Sequence, residues 1–319
     1  MSNPSFSPLR FPRVLVTGAA GFVGHHLVAE LAAHGHSVST TDALPVGHPA
    51  TAGLPDYRSG DLRDPDALRA IVRDANPDAV IHLAGIAFVP DGGKDPSLIL
   101  GVNLAGTANV ADAILTEVPK ARMLFVSSVQ VYGTTVASDA PIRETDPLRP
   151  LSLYAITKAA GELALAGRAQ AAGLDFVTAR PANHIGPGQS PKFVVSAFAK
   201  KVLEAKAGRL SCIPTGNLES VRDFTDVRDV VRAYRLLLEN GRSGEAYNIA
   251  ANRPLRIGDM LGKLQTIAGV SVPTETDPAL YRPTDACQAY DTAKLAADTG
   301  WRPEIPLDRT LADILDSLS

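Results

Sequence analysis

Short, continuous apolar runs alternate with stretches of helical spacing through the first two-thirds of the chain. Arg13–Thr17 (RVLVT) is rich in β-branched residues and predicts a buried strand. From Phe22 to His34, Phe22, Val23, Leu27, Ala29 and Leu31 recur at helical spacing, and Gly35 supplies a C-terminal stop. The same reading predicts further strands at Ser37–Thr41, Ala79–Leu83, Arg122–Ser127 and Asp175–Arg180. It predicts helices at Asp66–Asp74, behind Pro65, at Asn103–Glu117, ended by Pro119, and at Tyr154–Ala172, closed by Gly173. Strands apolar on both faces, alternating with helices, imply an α/β fold: a parallel sheet covered on both sides. After Pro181 proline and glycine cluster at Gly186, Pro187, Gly188 and Pro191. Helices are then expected at Lys192–Lys206 and Val227–Glu239, a strand at Glu245–Ile249 and a last helix at Leu307–Leu318.

Composition narrows the classes. The chain has 319 residues, of which 45% are hydrophobic and 20% charged, enough apolar material for a core and too much for a disordered protein. A net charge of −3 argues against a nucleic-acid binder held by general electrostatics. Cys212 and Cys287 lie far apart and outside any CxxC pattern, so neither a disulfide scaffold nor a metal site is expected, and a cytoplasmic setting fits. The stretch from Met1 to Arg10 has no apolar h-region, and no apolar run approaches the roughly 20 residues of a membrane span. Neither a signal peptide nor a membrane is expected.

Candidate chemistry begins at Thr17-Gly18-Ala19-Ala20-Gly21-Phe22-Val23-Gly24, between the first strand and the first helix. Glycines there let backbone approach a pyrophosphate, and the helix N-terminus offers N–H groups and partial positive charge. Asp42, at the end of the second strand, suits the adenosine ribose hydroxyls and repels a 2′-phosphate, which favours NAD(H) while leaving NADP(H) possible. Tyr154-Ala155-Ile156-Thr157-Lys158 puts a tyrosine and a lysine on one helical face. The lysine's charge, with that of an oxidised nicotinamide, is expected to lower the phenol's pKa for acid–base work. Ser127 and Ser128 end the RMLFVS strand, where parallel sheets place active sites. Ser128 is the candidate for the carbonyl's hydrogen-bond donor and Ser127 the alternative.

These motifs, with Ser127-Ser128-Val129-Gln130-Val131-Tyr132-Gly133, resemble the extended short-chain dehydrogenase/reductases, the NAD-dependent epimerase/dehydratase family, over roughly residues 12 to 315. The resemblance implies a Rossmann-type doubly wound parallel sheet of about seven strands with a smaller C-terminal substrate domain. The expected division is 12–186 plus 222–250 for the dinucleotide and 187–221 plus 251–319 for a sugar nucleotide. It implies cofactor contacts at Gly18, Gly21, Phe22, Val23, Gly24 and Asp42, at Asp61 and Leu62 beside adenine, and at Leu83, Ala84 and Gly85. Ser127, Tyr154, Lys158 and Pro181 complete the implied cofactor set, and Asn103 opens its helix as the family's structural asparagine. Taken singly, each of the loop residues fits packing or capping equally well.

The later motifs, Arg180-Pro181-Ala182-Asn183-His184 and Gly216-Asn217-Leu218 ahead of Arg222-Asp223-Phe224-Thr225-Asp226, resemble the members that act on GDP-sugars. Gln130, Asn183, Lys192, Arg222 and Arg282 are the implied substrate contacts, the arginines on the diphosphate. Ala182 stands where a bulky aromatic is common in the family. Dehydratases of the family carry an acidic residue two positions after the catalytic serine or threonine. Here Val129 and Gln130 follow Ser128, and neither is an acid or base. The implied activity is therefore NAD(P)H-dependent reduction of the C4 ketone of a GDP-4-keto-6-deoxy-hexose, with Ser128, Tyr154 and Lys158 catalytic. The C4 stereochemistry stays open. A C4 epimerase holding NAD uses the same three residues and remains the alternative, and a non-catalytic NAD-sensing scaffold would have lost the tyrosine or lysine. Relatives commonly pair through the helices that contain Asn103 and Tyr154, so a homodimer is expected.

Overall fold

The computed structural model describes residues 9–87, 95–133, 140–281 and 287–319. Its centre is a seven-stranded sheet built from β1 (Arg13–Thr17), β2 (Ser37–Asp42), β3 (Tyr57–Ser59), β4 (Ala79–His82), β5 (Arg122–Val126), β6 (Phe176–Pro181) and β11 (Ala246–Ile249). The spatial order is β11-β6-β5-β4-β1-β2-β3. Strands β1 to β6 pair in parallel, and Thr178 and Ala182 donate to the carbonyls of Glu245 and Ile249, so β11 runs the same way. Successive strands step outward in one direction from β1 to β3 and in the other from β4. The order reverses between β1 and β4, and open α/β sheets bind ligands outside the carboxyl ends of the strands at such a point.

Among the described residues the helices are α1 (Phe22–Ala33), α2 (Pro65–Ala75), α3 (Pro96–Glu117), α4 (Leu153–Ala172), α5 (Val194–Lys206), α6 (Val227–Asn240), α7 (Ile257–Ala268), α8 (Ala293–Thr299) and α9 (Leu307–Leu318). The caps explain several boundaries. Asp64 accepts from the amides of Asp66 and Ala67 and starts α2, with Pro65 in the first turn; Gly173, left-handed at φ 73°, ends α4. Expected and observed elements agree to within one or two residues, with one exception. Asn103 does not open its helix: α3 starts seven residues earlier at Pro96, capped by Asp95, and Asn103 lies inside a π-helical stretch, Leu100–Ala105. The longer α3 also has the length and apolarity of a membrane span, which the search for unbroken apolar runs missed. Here its apolar face packs into the protein through Ile99, Val110, Ala111 and Ile114.

Two apolar cores organise two compact units. One comprises the chain up to Val131, Pro150–Arg180 and Val231–Tyr247; the other comprises Tyr132–Arg149, Pro181–Val230 and Asn248–Ser319. In the first, Leu15, Val80, Met123 and Phe125 of the sheet meet Leu68, Ile71 and Val72 of α2 and Val110 and Ile114 of α3. In the second, α5, α7 and α9 pack together through Phe198, Val202, Met260, Leu264, Leu311 and Ile314. These units are not drawn as the expected domains are, since residues 132–149, 181–186, 222–230 and 248–250 belong to the second unit. The contacts give the reason. Ile142 bridges to Tyr290, and Asn248 donates to the carbonyls of Ile142 and Asp291. Antiparallel pairing joins β9 (Val221–Asp223) to β12 (Pro254–Arg256), and Arg228 pairs with Asp313.

Candidate active site

The loop after β1 is shaped by what its glycines exclude. Gly18 sits at φ 73°, and a Cβ there would lie 2.7 Å from the backbone of Ala84. At Gly24 a Cβ would lie 2.4 Å from the carbonyl oxygen of Ala19, so only glycine lets α1 pack against the loop it follows. Gly21 is the exposed N-cap of α1, and Phe22 and Val23 are half-buried in its first turn, where backbone N–H groups face outward. Asp42 ends β2 beside this turn: its Oδ2 accepts from the amide of Ala20 at 3.3 Å.

The neighbouring loops are built around buried polar atoms. His82, at the end of β4, is fully enclosed, and burial drives its pKa down to about 3. Its Nδ1 lies 2.7 Å from Thr17 Oγ1 and its Nε2 lies 3.0 Å from Thr107 Oγ1. Thr107 donates its only hydroxyl proton to the carbonyl of Asn103, so it can only accept from His82. The proton therefore sits on Nε2, and Nδ1 accepts from Thr17, whose oxygen in turn accepts from the amide of Ala84 at 3.4 Å. Asn103 completes the frame. Its Oδ1 accepts from the Ile86 amide, and its Nδ2 donates to the Ile86 carbonyl and Thr157. Leu83 and Ala84 are half-buried and Gly85 is exposed. A Cβ on Gly85 would approach Asn103 and, at 3.5 Å, Lys158 Nζ. Leu62 is buried against Gly106 in the core with its carbonyl accepting from Asn109 Nδ2 at 2.9 Å, and Asp61 is bound to Arg63 by a salt bridge of 2.6 Å.

Ser128, Tyr154 and Lys158 come together at the end of β5 and the start of α4. Ser128 lies close enough to the Tyr154 phenol to act on its pKa, and Lys158 Nζ lies 5.9 Å from the centre of the Tyr154 ring. Nζ donates to the Val126 carbonyl at 2.8 Å. Burial pushes the phenol up to about 12 and the ammonium down to about 8. The expectation is that Lys158 lowers the phenol together with an oxidised nicotinamide; in the protein's own surroundings burial raises it, and only Ser128 opposes the rise. The two serines have different neighbours. Ser127 donates to Glu162 Oε1 at 2.5 Å, whereas Ser128 faces Tyr154. Glu162 in turn holds Arg180 through Nη2–Oε2 at 2.6 Å and Nε–Oε1 at 3.1 Å, with both residues buried. The sequence reading passed over Glu162, although its place four residues after Lys158 puts it on the same helical face. Val129 is buried, and Gln130 is exposed with its amide donating to Ser128 Oγ at 3.2 Å.

The remaining candidates lie in the second unit. Pro181 and Ala182 are buried at the end of β6, and Asn183 is exposed with its carbonyl accepting from Thr225. Lys192 is exposed just before α5, and Arg222 is half-buried on β9 opposite Leu255. Arg282 falls outside the described residues.

The chain matches the NAD dependent epimerase/dehydratase family over residues 14–250. It is 36% identical to GDP-6-deoxy-D-mannose reductase of Pseudomonas aeruginosa over 305 residues, 95% of this chain and 96% of that protein. Among solved structures it superposes on RMD from Pseudomonas aeruginosa complexed with NADPH with a TM-score of 0.85, at 35% identity, covering 96% of this chain and 98% of the other. It superposes on a Thermus thermophilus UDP-glucose 4-epimerase complexed with NAD with a TM-score of 0.83, at 30% identity, covering 96% and 98%.

Proposed function

Because the chain belongs to the NAD dependent epimerase/dehydratase family, we propose that it reduces the C4 ketone of GDP-4-dehydro-6-deoxy-D-mannose with NADH or NADPH. The observation that carries this reading is Ser128, Tyr154 and Lys158 assembled beside Gln130, where elimination would need an acidic residue. The likeness to GDP-6-deoxy-D-mannose reductase over nearly the whole chain supports the GDP-sugar.

The reduced nicotinamide supplies the hydride when bound. Gly18, Gly21 and Gly24 shape the turn that admits its pyrophosphate, with α1 directing its first amides there. Asp42 would accept from the ribose hydroxyls and repel a 2′-phosphate, so NADH is the preferred donor. The Ser128 hydroxyl polarises the C4 carbonyl. Tyr154, held protonated by burial, gives its proton to the developing alkoxide. Lys158 Nζ would hold the nicotinamide ribose, and its charge stabilises the phenolate left behind. Asn183, Lys192, Arg222 and Arg282 are the proposed contacts to the sugar nucleotide, and Gln130 lies beside the reacting sugar. Dehydration would require a base for the C5 proton and an acid for the C6 leaving group; Val129 and Gln130 can supply neither.

A homodimer is part of the proposal. Leu98 and Leu100 on α3 and Ile156 and Leu163 on α4 are exposed, apolar, and carried by two helices that pack together.

The test is incubation with GDP-4-dehydro-6-deoxy-D-mannose and each reduced cofactor, with product configuration at C4 read by NMR. Consumption of NAD(P)H with the keto sugar, and no keto product from GDP-mannose alone, is expected. Robust dehydration of GDP-mannose, or epimerisation of a GDP-hexose without net cofactor consumption, would replace this reading.

A further inference from the structure

The mechanism above leaves unused a buried charged cluster directly behind the proposed catalytic set. Ser127, Glu162 and Arg180 are each buried, and they join three elements: the end of β5, the second turn of α4 beyond Tyr154, and the end of β6. Glu162 is fully engaged. One oxygen accepts from Ser127 Oγ and Arg180 Nε, and the other accepts from Arg180 Nη2. Such a fork fixes the carboxylate in position as well as in charge. Ser127 precedes Ser128, and Glu162 lies one turn beyond Lys158 and two beyond Tyr154 on one helical face. The cluster therefore grips both halves of the proposed catalytic set from behind.

We propose that Glu162, anchored by Arg180 and Ser127, is the positioning residue of this site: its carboxylate is the buried counter-charge of Lys158, and its hydrogen bonds lock the Ser127–Ser128 strand end onto the helix that carries Tyr154 and Lys158. The surroundings of Lys158 single out Glu162. On its own helix it faces Tyr154 and Glu162. From β5 it meets the Val126 carbonyl and the Phe125 ring, and from β4 the neutral His82. Arg180, from β6, pairs with Glu162. Against a burial that disfavours the ammonium, Glu162, one helical turn away, is among the described residues the charge that favours it.

The inference rests on the proposed role of Lys158 at the nicotinamide ribose, so one arm of the test needs no sugar nucleotide. Wild type, Glu162→Gln, Glu162→Asp, Ser127→Ala and the double variant Glu162→Gln/Arg180→Met are compared. Binding of reduced nicotinamide cofactor is followed by its fluorescence across the pH range, and kcat and kcat/KM for the keto sugar are measured over the same range. Wild type should lose cofactor affinity through an alkaline limb near pH 8. Glu162→Gln and the double variant should move that limb to the acid side by about one pH unit. They should also lower kcat on the order of tenfold or more, as misplaced groups do. Glu162→Asp should restore the limb, and Ser127→Ala should lower kcat with the limb unmoved. The double variant removes the buried guanidinium together with the carboxylate that pairs it, so it supplies the measurement if Glu162→Gln fails to fold. An unmoved limb in the double variant, or Glu162→Gln that only melts earlier while keeping the wild-type limb and kcat, overturns the proposal. Shifted cofactor-binding limbs in a protein that never reduces the keto sugar would remove the reductase reading and leave the positioning role of Glu162 standing.

Discussion

Tyr154 shows how a side chain's surroundings decide the direction of its chemistry. Burial holds the phenol protonated to about pH 12, which suits a proton donor in a reduction. Tyr154→Phe should bind reduced cofactor nearly as wild type and lose about 10²–10⁴ in turnover, measured by cofactor oxidation with the keto sugar; wild-type turnover would remove Tyr154 from the mechanism. Asp42→Ala should narrow or reverse a preference for NADH in parallel KM measurements. A lower KM for NADPH in the parent would cancel the ribose role of Asp42. His82 carries an acid signature. Unfolded histidine takes a proton below about pH 6.5, whereas the folded site resists until about 3. Protonation thus favours the unfolded chain in that window, and stability falls as pH drops from 6.5 toward 3, by up to about 1.4 kcal/mol per unit. Urea midpoints should decline over that interval and decline less in His82→Gln; equal slopes would assign the acid sensitivity elsewhere. Residue chemistry was partly legible in sequence. The serine pair and the preference for Ser128 were legible, but the partner of Ser127 was not, because only the fold brings Glu162, held by Arg180, onto it.

At the scale of elements, the glycine turn was readable because each glycine answers a local steric demand. Gly24→Ala would drive a methyl into the backbone of Ala19, which cannot swing aside as a side-chain end would. Helix α1 must shift, at about 1–3 kcal/mol for overpacking. A lower Tm together with weaker cofactor binding is expected; an unchanged cofactor Kd would mean that the shift does not reach the turn. Strongly periodic helices and β-branched strands also declared themselves. The π stretch of α3 did not, since a widened turn has no residue signature and is held by tertiary bonds such as those of Asn103 to Ile86 and Thr157. Strand β3 is three residues at a sheet edge, too short for alternation. Helix α7 was legible and passed over: its buried residues fall at 257, 260, 261, 264 and 268, with Gly269 closing it.

For the whole molecule, a nucleotide that binds only the native state should raise Tm, by about 2.7 kcal/mol of stabilisation at a hundred times its Kd. GDP should protect more than UDP or dTDP in thermal shift assays, and equal protection by all three would return the substrate to sugar nucleotides in general. The membership of the two compact units was not legible in the sequence. Membership depends on long-range ties such as Asn248 to Ile142, which carry no local pattern. Those units alternate along the chain in six segments, so the backbone passes from one to the other five times. This interleaving has a consequence for synthesis. A ribosome delivers residues in order, yet the sheet of the first unit waits for β11 and the core of the second waits for α9. Until Ala246–Ile249 emerges, β6 is an open edge with unpaired backbone groups at Thr178 and Ala182. Neither unit can mature before the segments of the other that interrupt it have been made, and the nascent chain stays dependent on protection from aggregation until β11 and α9 have emerged.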